Sequence, residues 1–392
     1  MTVVNKKVLI LYASFGDGHI QVSRALKEQF ECETGCKAVL VDLFAEAYPL
    51  LNSLMKFLYI KSYTMFPKLY GWTYYGTRHM PNDTRFSSWF NGFGMSKLKE
   101  IIDKEQPDAV LNTFPMLVMP ELRKKTGIAV PIYNVITDFV MHRRWVHPLV
   151  DKYYVASEDL KAQLAGDGVP DHCIEATGIP LKKEFQIVER SSELFNKYDL
   201  DPDKKTVLIM AGSYGVLQGL KEVCQSLAAF PNTQLLVVCG KNKALYDTMC
   251  GCLRQYPSIR LFGFVQEMHE LMAISDTIVT KPGGITLMES IQCLLPIALL
   301  RPVPGQERDN AEYLASKGAA FIAYDSDALI GHIRELLDNE EKRNKVRSII
   351  ESLRKQRSTE MIVQDILADL QTYRYETRAA SEIRRVSSER IS

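Results

Sequence analysis

The residues with the densest chemistry lie between Ile278 and Asn310, in the stretch IVTKPGGITLMESIQCLLPIALLRPVPGQERDN. An apolar run ending at Val279 and Thr280 reads as a buried strand, and Pro282, Gly283 and Gly284 break regular structure after it. A helix is predicted next, with Leu287, Ile291 and Leu294/Leu295 on its apolar face and Pro296 as its end. Ile297 to Leu300 reads as a second strand, running into the polar turn Pro304-Gly305-Gln306-Glu307. Strand, glycine turn and helix together aim backbone N–H groups and a helix N-terminus at one place. That arrangement suits an anion, and a diphosphate fits it. Glu289 lies one turn into the helix, where an acid suits a ribose diol. Thr286 and Glu289 also have the spacing of a capping box, so a purely local role stays open for both.

A second constellation follows the first apolar segment. Ser14-Phe15-Gly16-Asp17-Gly18-His19 is a glycine-rich turn between the strand Lys7–Tyr12 and a helix from Ile20 to Phe30. Gly16 and Gly18, with Asp42 ending the next strand, partly match a dinucleotide fingerprint, but Gln21 stands at the third glycine position. His19 reads either as a reactive imidazole or as a plain helix-start residue. A third candidate is Asp138, at the end of the strand Ile132–Thr137. It is followed by a loop with His142, Arg143, Arg144, Trp145 and His147. This is an acceptor-side wall or a surface loop with Asp138 as a cap.

Leu54 to Phe90 interleaves aromatic and basic residues. Lys56, Phe57, Lys61, Phe66, Lys68, Tyr70, Trp72, Tyr74, Tyr75 and Arg78 all fall there, with Asp83 as the sole acid. Rings at headgroup depth and cations on anionic lipid suit a bilayer interface. Stacking on single-stranded nucleic acid and simple core packing are the competing readings.

These residues need two scaffolds. Glycine turns after apolar strands occur in both halves, and the pattern restarts with the strand Thr206–Met210 and the turn Ala211-Gly212-Ser213-Tyr214-Gly215. The fold class is therefore α/β, with two Rossmann-like domains. We place them at 1–185 and 186–358, with the linker around Pro180 to Lys205; the family resemblance given below implies that they face across a cleft, the first binding acceptor and membrane and the second the donor. A closing helix near 359–373 is expected to pack back on the first domain, and 374–392 to be a disordered tail. The chain has 392 residues, 46% of them hydrophobic and 24% charged, which is ordinary for two globular cores. A net charge of +1 gives no global pull toward nucleic acid, and no nucleic-acid partner is expected. The eight cysteines are scattered and read as reduced thiols. No apolar run reaches the roughly 18 residues of a membrane span, and no signal peptide is expected.

The motif TKPGGITLMES, followed by PGQERDN, resembles the nucleotide half of the UDP-sugar glycosyltransferases that build glycolipids, a family with the GT-B architecture. GDGH at 16–19 and the Trp72–Thr77 segment resemble the same family, although many relatives carry GGGH, so Asp17 is a departure. Within it, the chain most resembles the diacylglycerol β-glucosyltransferases of Gram-positive bacteria. The resemblance implies that Gly283, Gly284 and Thr286 hold the diphosphate and Glu289 the ribose. Gln306 and Asn310 would hold the donor sugar and phosphate, and Phe264 and Val265 the uracil. It extends the donor set to Gly18, Gly212, Ser213, Tyr214, Gly215, Lys241, Asn242, Lys281, Ile285 and Glu307. A plain core ring remains open for Phe264.

The implied reaction is an inverting transfer of glucose from UDP-glucose to diacylglycerol, and on to glucosyl-diacylglycerol. A base must take the hydroxyl proton; His19 is the first candidate, Asp138 the second and Asp83 the third. The aromatic-basic segment, with Trp145, would meet the acceptor and an anionic membrane from the cytoplasmic side. No cofactor and no metal are expected. Asp201-Pro202-Asp203 and Asp325-Ser326-Asp327 have metal-site spacing but sit in the linker and before a helix. A transferase using UDP-galactose or UDP-N-acetylglucosamine on another lipid, and a non-catalytic UDP-sugar sensor, are the alternatives.

Overall fold

A computed structural model of the chain describes residues 6–14, 16–33, 35–49, 67–78, 92–212 and 219–372. Twelve strands lie among them: β1 (Lys6–Tyr12), β2 (Cys36–Asp42), β3 (Ala109–Asn112), β4 (Ile132–Val135), β5 (Lys152–Tyr154), β6 (Ile174–Glu175), β7 (Lys205–Met210), β8 (Thr233–Val238), β9 (Ile259–Phe262), β10 (Thr277–Thr280), β11 (Ile297–Leu300) and β12 (Ala320–Ala323). They form two six-stranded sheets, in the orders β2-β1-β3-β4-β5-β6 and β12-β11-β10-β7-β8-β9, with every pairing parallel.

Parallel strands need both faces covered, so their sequences are apolar runs rather than alternations. KKVLILY in β1 and TQLLVV in β8 are buried along nearly their whole length. The two faces of the second sheet still separate with period two. Leu208, Leu236 and Ile278 join a core that runs on through the first domain, whereas Val207, Ile209, Leu235, Val237 and Val279 build a separate core.

Each sheet reverses its strand order once, beside β1 in the first and beside β7 in the second. Loops leaving the carboxyl ends of strands diverge at such points and leave a crevice. Four helices bound the crevices here: α1 (Asp17–Cys32), α2 (Pro67–Arg78), α3 (Gly284–Gln292) and α4 (Gln306–Ser316). In α1, Val22, Leu26 and Phe30 recur at helical spacing and are buried.

The chain crosses between domains twice. The short helices Glu184–Ile187 and Ser192–Lys197 precede β7. The helix over 358–372 returns to the first domain, where Tyr154 donates to Asp365 at 2.7 Å and Lys152 pairs with it at 2.6 Å. Thr359 Oγ1 donates to Leu181 O at 2.7 Å, tying the two crossings together.

Candidate active site

His19 lies in the first turn of α1, which starts at Gly16 in extended conformation. Its Nδ1 is 2.7 Å from the Thr113 carbonyl oxygen. A carbonyl only accepts, so Nδ1 carries the proton and donates, and in the neutral ring Nε2 keeps a lone pair. Thr137 Oγ1 is 3.3 Å from the same Nδ1, and the Phe114 ring meets the imidazole edge-on at 5.0 Å. Ser23 Oγ donates to the His19 carbonyl at 2.8 Å and lies 2.7 Å from Thr113 Oγ1, fixing the turn below. Burial pushes the imidazole below its usual 6.5, against opposing pulls from the Asp138 charge and the Thr113 carbonyl. A neutral imidazole with one free lone pair is the form a general base needs.

Asp138 is buried at the domain boundary. Its Oδ1 accepts from Asn310 Nδ2 at 3.1 Å and from Gln306 Nε2, both on α4 of the other domain. The Asn310 amide is used fully: Oδ1 accepts from Phe139 N at 2.9 Å, and Nδ2 also reaches Pro282 O at 3.3 Å. Burial raises the Asp138 carboxyl above the usual carboxylate range, while the two amides and His19 pull it back. The structure thus joins Asp138 to the two residues expected at the donor sugar.

The facing wall is the turn from β10 into α3. Gly283 caps α3 through its backbone, with no side-chain cap, so the Thr286–Glu289 capping box does not form. At Gly284, a Cβ would come within 1.9 Å of the Thr137 carbonyl oxygen, so only glycine lets the domains approach this closely. Gly18 meets Ile285 in the same contact, a Cβ there lying 3.0 Å from Ile285 Cδ1. Thr286 is half-buried just behind. Glu289 is 5% exposed, and burial raises its carboxyl to about 8, with Lys182 opposing. Burial lowers the Lys281 ammonium, with Glu307 opposing, and Glu307 Oε2 is buried with no hydrogen-bond partner among the described residues.

Gly212 lies in the turn two residues past β7, beside Lys281, while Ser213, Tyr214 and Gly215 lie outside the described residues. Phe264 is 55% exposed, which removes the core-ring reading, and Val265 beside it is half-buried. Lys241 Nζ sits 5.2 Å over the Phe264 ring and donates to both Asp17 oxygens, at 2.9 and 2.8 Å. The departure at Asp17 therefore has a partner across the cleft. Asn242 caps the next helix, its Oδ1 accepting from Leu245 N at 3.0 Å.

The acceptor-side expectations divide. Lys56, Phe57, Lys61, Phe66 and Asp83 lie outside the described residues, and Lys68 and Tyr70 are placed only as positions on α2. Trp72 is 75% exposed on α2. Tyr74 packs on His142 at 4.8 Å between ring centres. Tyr75 and Arg78 turn toward the second domain, both reaching Asp309. Trp145 corrects the reading: at 2% exposure it belongs to the first-domain core and offers no face to an acceptor or membrane. Its carbonyl accepts from Asn134, which pulls the ring under the loop rather than onto it. Of the two D-x-D stretches, Asp325 is a helix N-cap accepting from Ala328 N at 2.8 Å, and Asp201 accepts from Asp203 N at 3.0 Å in a local turn.

Sequence reading missed Thr113 and Thr137, which hold His19. Their signal was positional: Thr113 directly follows β3 and Thr137 lies two residues past β4, at the carboxyl ends of strands beside or near β1. It also missed Asp309, adjacent to Asn310 in a motif that was otherwise noticed.

Two parallel sheets with their order-reversal crevices facing each other define the two-domain GT-B architecture. Solved structures agree on the fold. The S. aureus MnaA-UDP co-structure superposes with a TM-score of 0.63 at 16% identity, covering 93% of this chain and 97% of that one. Acinetobacter baumannii MurG gives 0.63 at 16% identity, over 93% and 99%. The UDP-GlcNAc 2-epimerase from Neisseria meningitidis, bound to UDP-GlcNAc, gives 0.63 at 16%, over 92% and 100%. Epimerases and transferases share this scaffold, so fold alone does not choose the reaction. Residues 19–181 match the monogalactosyldiacylglycerol (MGDG) synthase family model, and 192–352 match glycosyl transferases group 1. Processive diacylglycerol beta-glucosyltransferases from Bacillus cereus (strain ATCC 10987 / NRS 248) and Bacillus thuringiensis (strain Al Hakam) are each 41% identical over 369 residues, covering 94% of this chain and 95% of the relative. The chain belongs to this family of glycosyltransferases.

Proposed function

We propose that the chain transfers glucose from UDP-glucose to the hydroxyl of diacylglycerol, and then to the glucosyl product, inverting the anomeric carbon. The observation that carries the chemistry is His19: a half-buried imidazole with Nδ1 committed to Thr113 O, which leaves Nε2 as the nitrogen that can accept a proton. In the reaction, the acceptor oxygen attacks the anomeric carbon. The bond from that carbon to the UDP oxygen breaks, UDP leaves with the electron pair, and the acceptor proton passes to Nε2. Asp138 offsets the imidazolium charge that forms, in line with its pull on the His19 pKa.

The start of α3 stabilises the leaving diphosphate by its N–H groups, so the reaction proceeds without an essential metal. Glu289 takes the ribose diol, Phe264 offers a face to uracil, and Gln306 and Asn310 exchange bonds to Asp138 for bonds to the sugar. No helix among the described residues is long and apolar enough to cross a membrane. We place the enzyme as a peripheral protein on the cytoplasmic face, with the segment around α2 toward anionic lipid; exposed Trp72 supports this.

The test is UDP release from UDP-glucose, with and without diacylglycerol vesicles, with EDTA throughout. Lipid-dependent release is expected. Release with UDP-galactose or UDP-N-acetylglucosamine instead would reassign the donor. Tight UDP binding with no release from any UDP-sugar would point to a sensor.

A further inference from the structure

Helix α2 belongs to the first domain by sequence, yet its side chains grip the second. Tyr75 Oη donates to Asp309 Oδ1 at 2.9 Å, and Arg78 donates to Asp309 Oδ2 at 3.0 Å. Gly305 N donates to Tyr75 Oη at 3.2 Å. Gly71 faces Pro304 so closely that a Cβ on it would come within 2.5 Å of the Pro304 Cβ. These contacts bracket one turn of backbone. Gly305 directly precedes Gln306, and Asp309 directly precedes Asn310. Gly305 also has φ of 106° and ψ of −146°, a conformation open only to glycine. Local backbone bonds, Arg308 N to Val303 O and Asp309 N to Gly305 O, both at 3.1 Å, close the turn, and α2 adds side-chain contacts to it. Asp309 is buried, so its charge needs the partners that α2 brings.

We infer that α2 completes the donor-sugar site: Tyr75, Arg78 and Asp309 are positioning residues that set Gln306 and Asn310 for the sugar. The inference rests on the reading of these two amides as donor-sugar contacts. UDP itself, held by the α3 start and Glu289, does not depend on the α2 contact.

The first experiment tests the contact without activity. Arg78→Ala, Asp309→Ala and the double variant are compared by thermal unfolding. Arg78 donates to Asp309 at 3.0 Å across the domain boundary, so the two single shifts in Tm should not add. Additive shifts overturn the docking of α2. The second compares UDP and UDP-glucose binding by calorimetry in the wild type, Arg78→Ala, Arg78→Lys, Asp309→Asn and Tyr75→Phe. UDP-glucose affinity is expected to fall about ten-fold in Arg78→Ala and Asp309→Asn, with UDP affinity within about two-fold of wild type. Arg78→Lys should recover part of the loss. Equal losses for UDP and UDP-glucose, or no preference for UDP-glucose in the wild type, would contradict the positioning role. A wild type that prefers UDP-glucose but never turns it over would instead remove the transferase reading and leave α2 as described.

Discussion

His19 and Asp138 face the same cleft but are held in opposite ways. Among the described residues, the hydrogen bonds to the His19 ring come from the first domain, through Thr113 and Thr137. The two amides on Asp138 both come from the second domain, through Gln306 and Asn310. A group held by its own domain keeps its geometry when the cleft opens. A group held by the other domain is set only on closure. On the proposed reading, the imidazole is a preformed base, and the carboxylate is a clamp made across the domain boundary that also tunes the imidazole. Preorganised groups lose nothing to rearrangement at the moment of reaction, which is where catalysis needs them.

That contrast can be broken from either side. The largest effect is expected from His19→Ala, with kcat down about 10³-fold and UDP affinity retained, since a positioned base contributes on that order. Stopped assays of UDP release beside UDP titration separate the two. Gly284→Ala comes next. Its methyl group meets the Thr137 carbonyl, so the domains cannot close fully, and kcat/KM should fall about 100-fold. Small-angle scattering should show a larger radius of gyration with UDP bound than in the wild type; an unchanged radius would remove closure as the cause. Asp138→Asn should cost about ten-fold, less than His19→Ala, because it weakens the clamp but leaves the base. A larger loss than in His19→Ala would exchange the two roles. Asp17→Gly should change UDP affinity by no more than about five-fold, because an ion pair this open to solvent is worth roughly 1 kcal/mol at most. Titration at low and high salt checks it, and a large loss at both would mean Asp17 does more than pair with Lys241.

Much of the second domain was legible because its signals are local. The apolar run of β10, the Pro282-Gly283-Gly284 break and the helix after it follow one another in the chain, and glycine and proline punctuate them. The helix end was misplaced: α3 stops at Gln292, and Leu294 turns back at φ of 54°, although apolar spacing alone carries the helix to Pro296. The site was legible as residue types but not as partners. Asp138 and Gln306 are separated by 168 positions, and no spacing rule links them. Trp145 was misread for a related reason. Its neighbours Arg143, Arg144 and His147 make the loop look exposed, while the packing of β4 and its own buried carbonyl decide otherwise. Tyr75 and Arg78 stood out as aromatic and basic, but composition could not show that Asp309 would claim both.

The central claim is that a neutral, first-domain imidazole takes the acceptor proton. The most direct measurement is the pH dependence of kcat/KM for the lipid acceptor in wild type and His19→Ala. The His19 pKa lies below 6.5, and the base is competent only when deprotonated. Activity should therefore rise with pH through a midpoint below 6.5 and level off, and the residual activity of His19→Ala should lack that limb. A midpoint above 6.5, or an acid limb that survives in His19→Ala, would contradict the account.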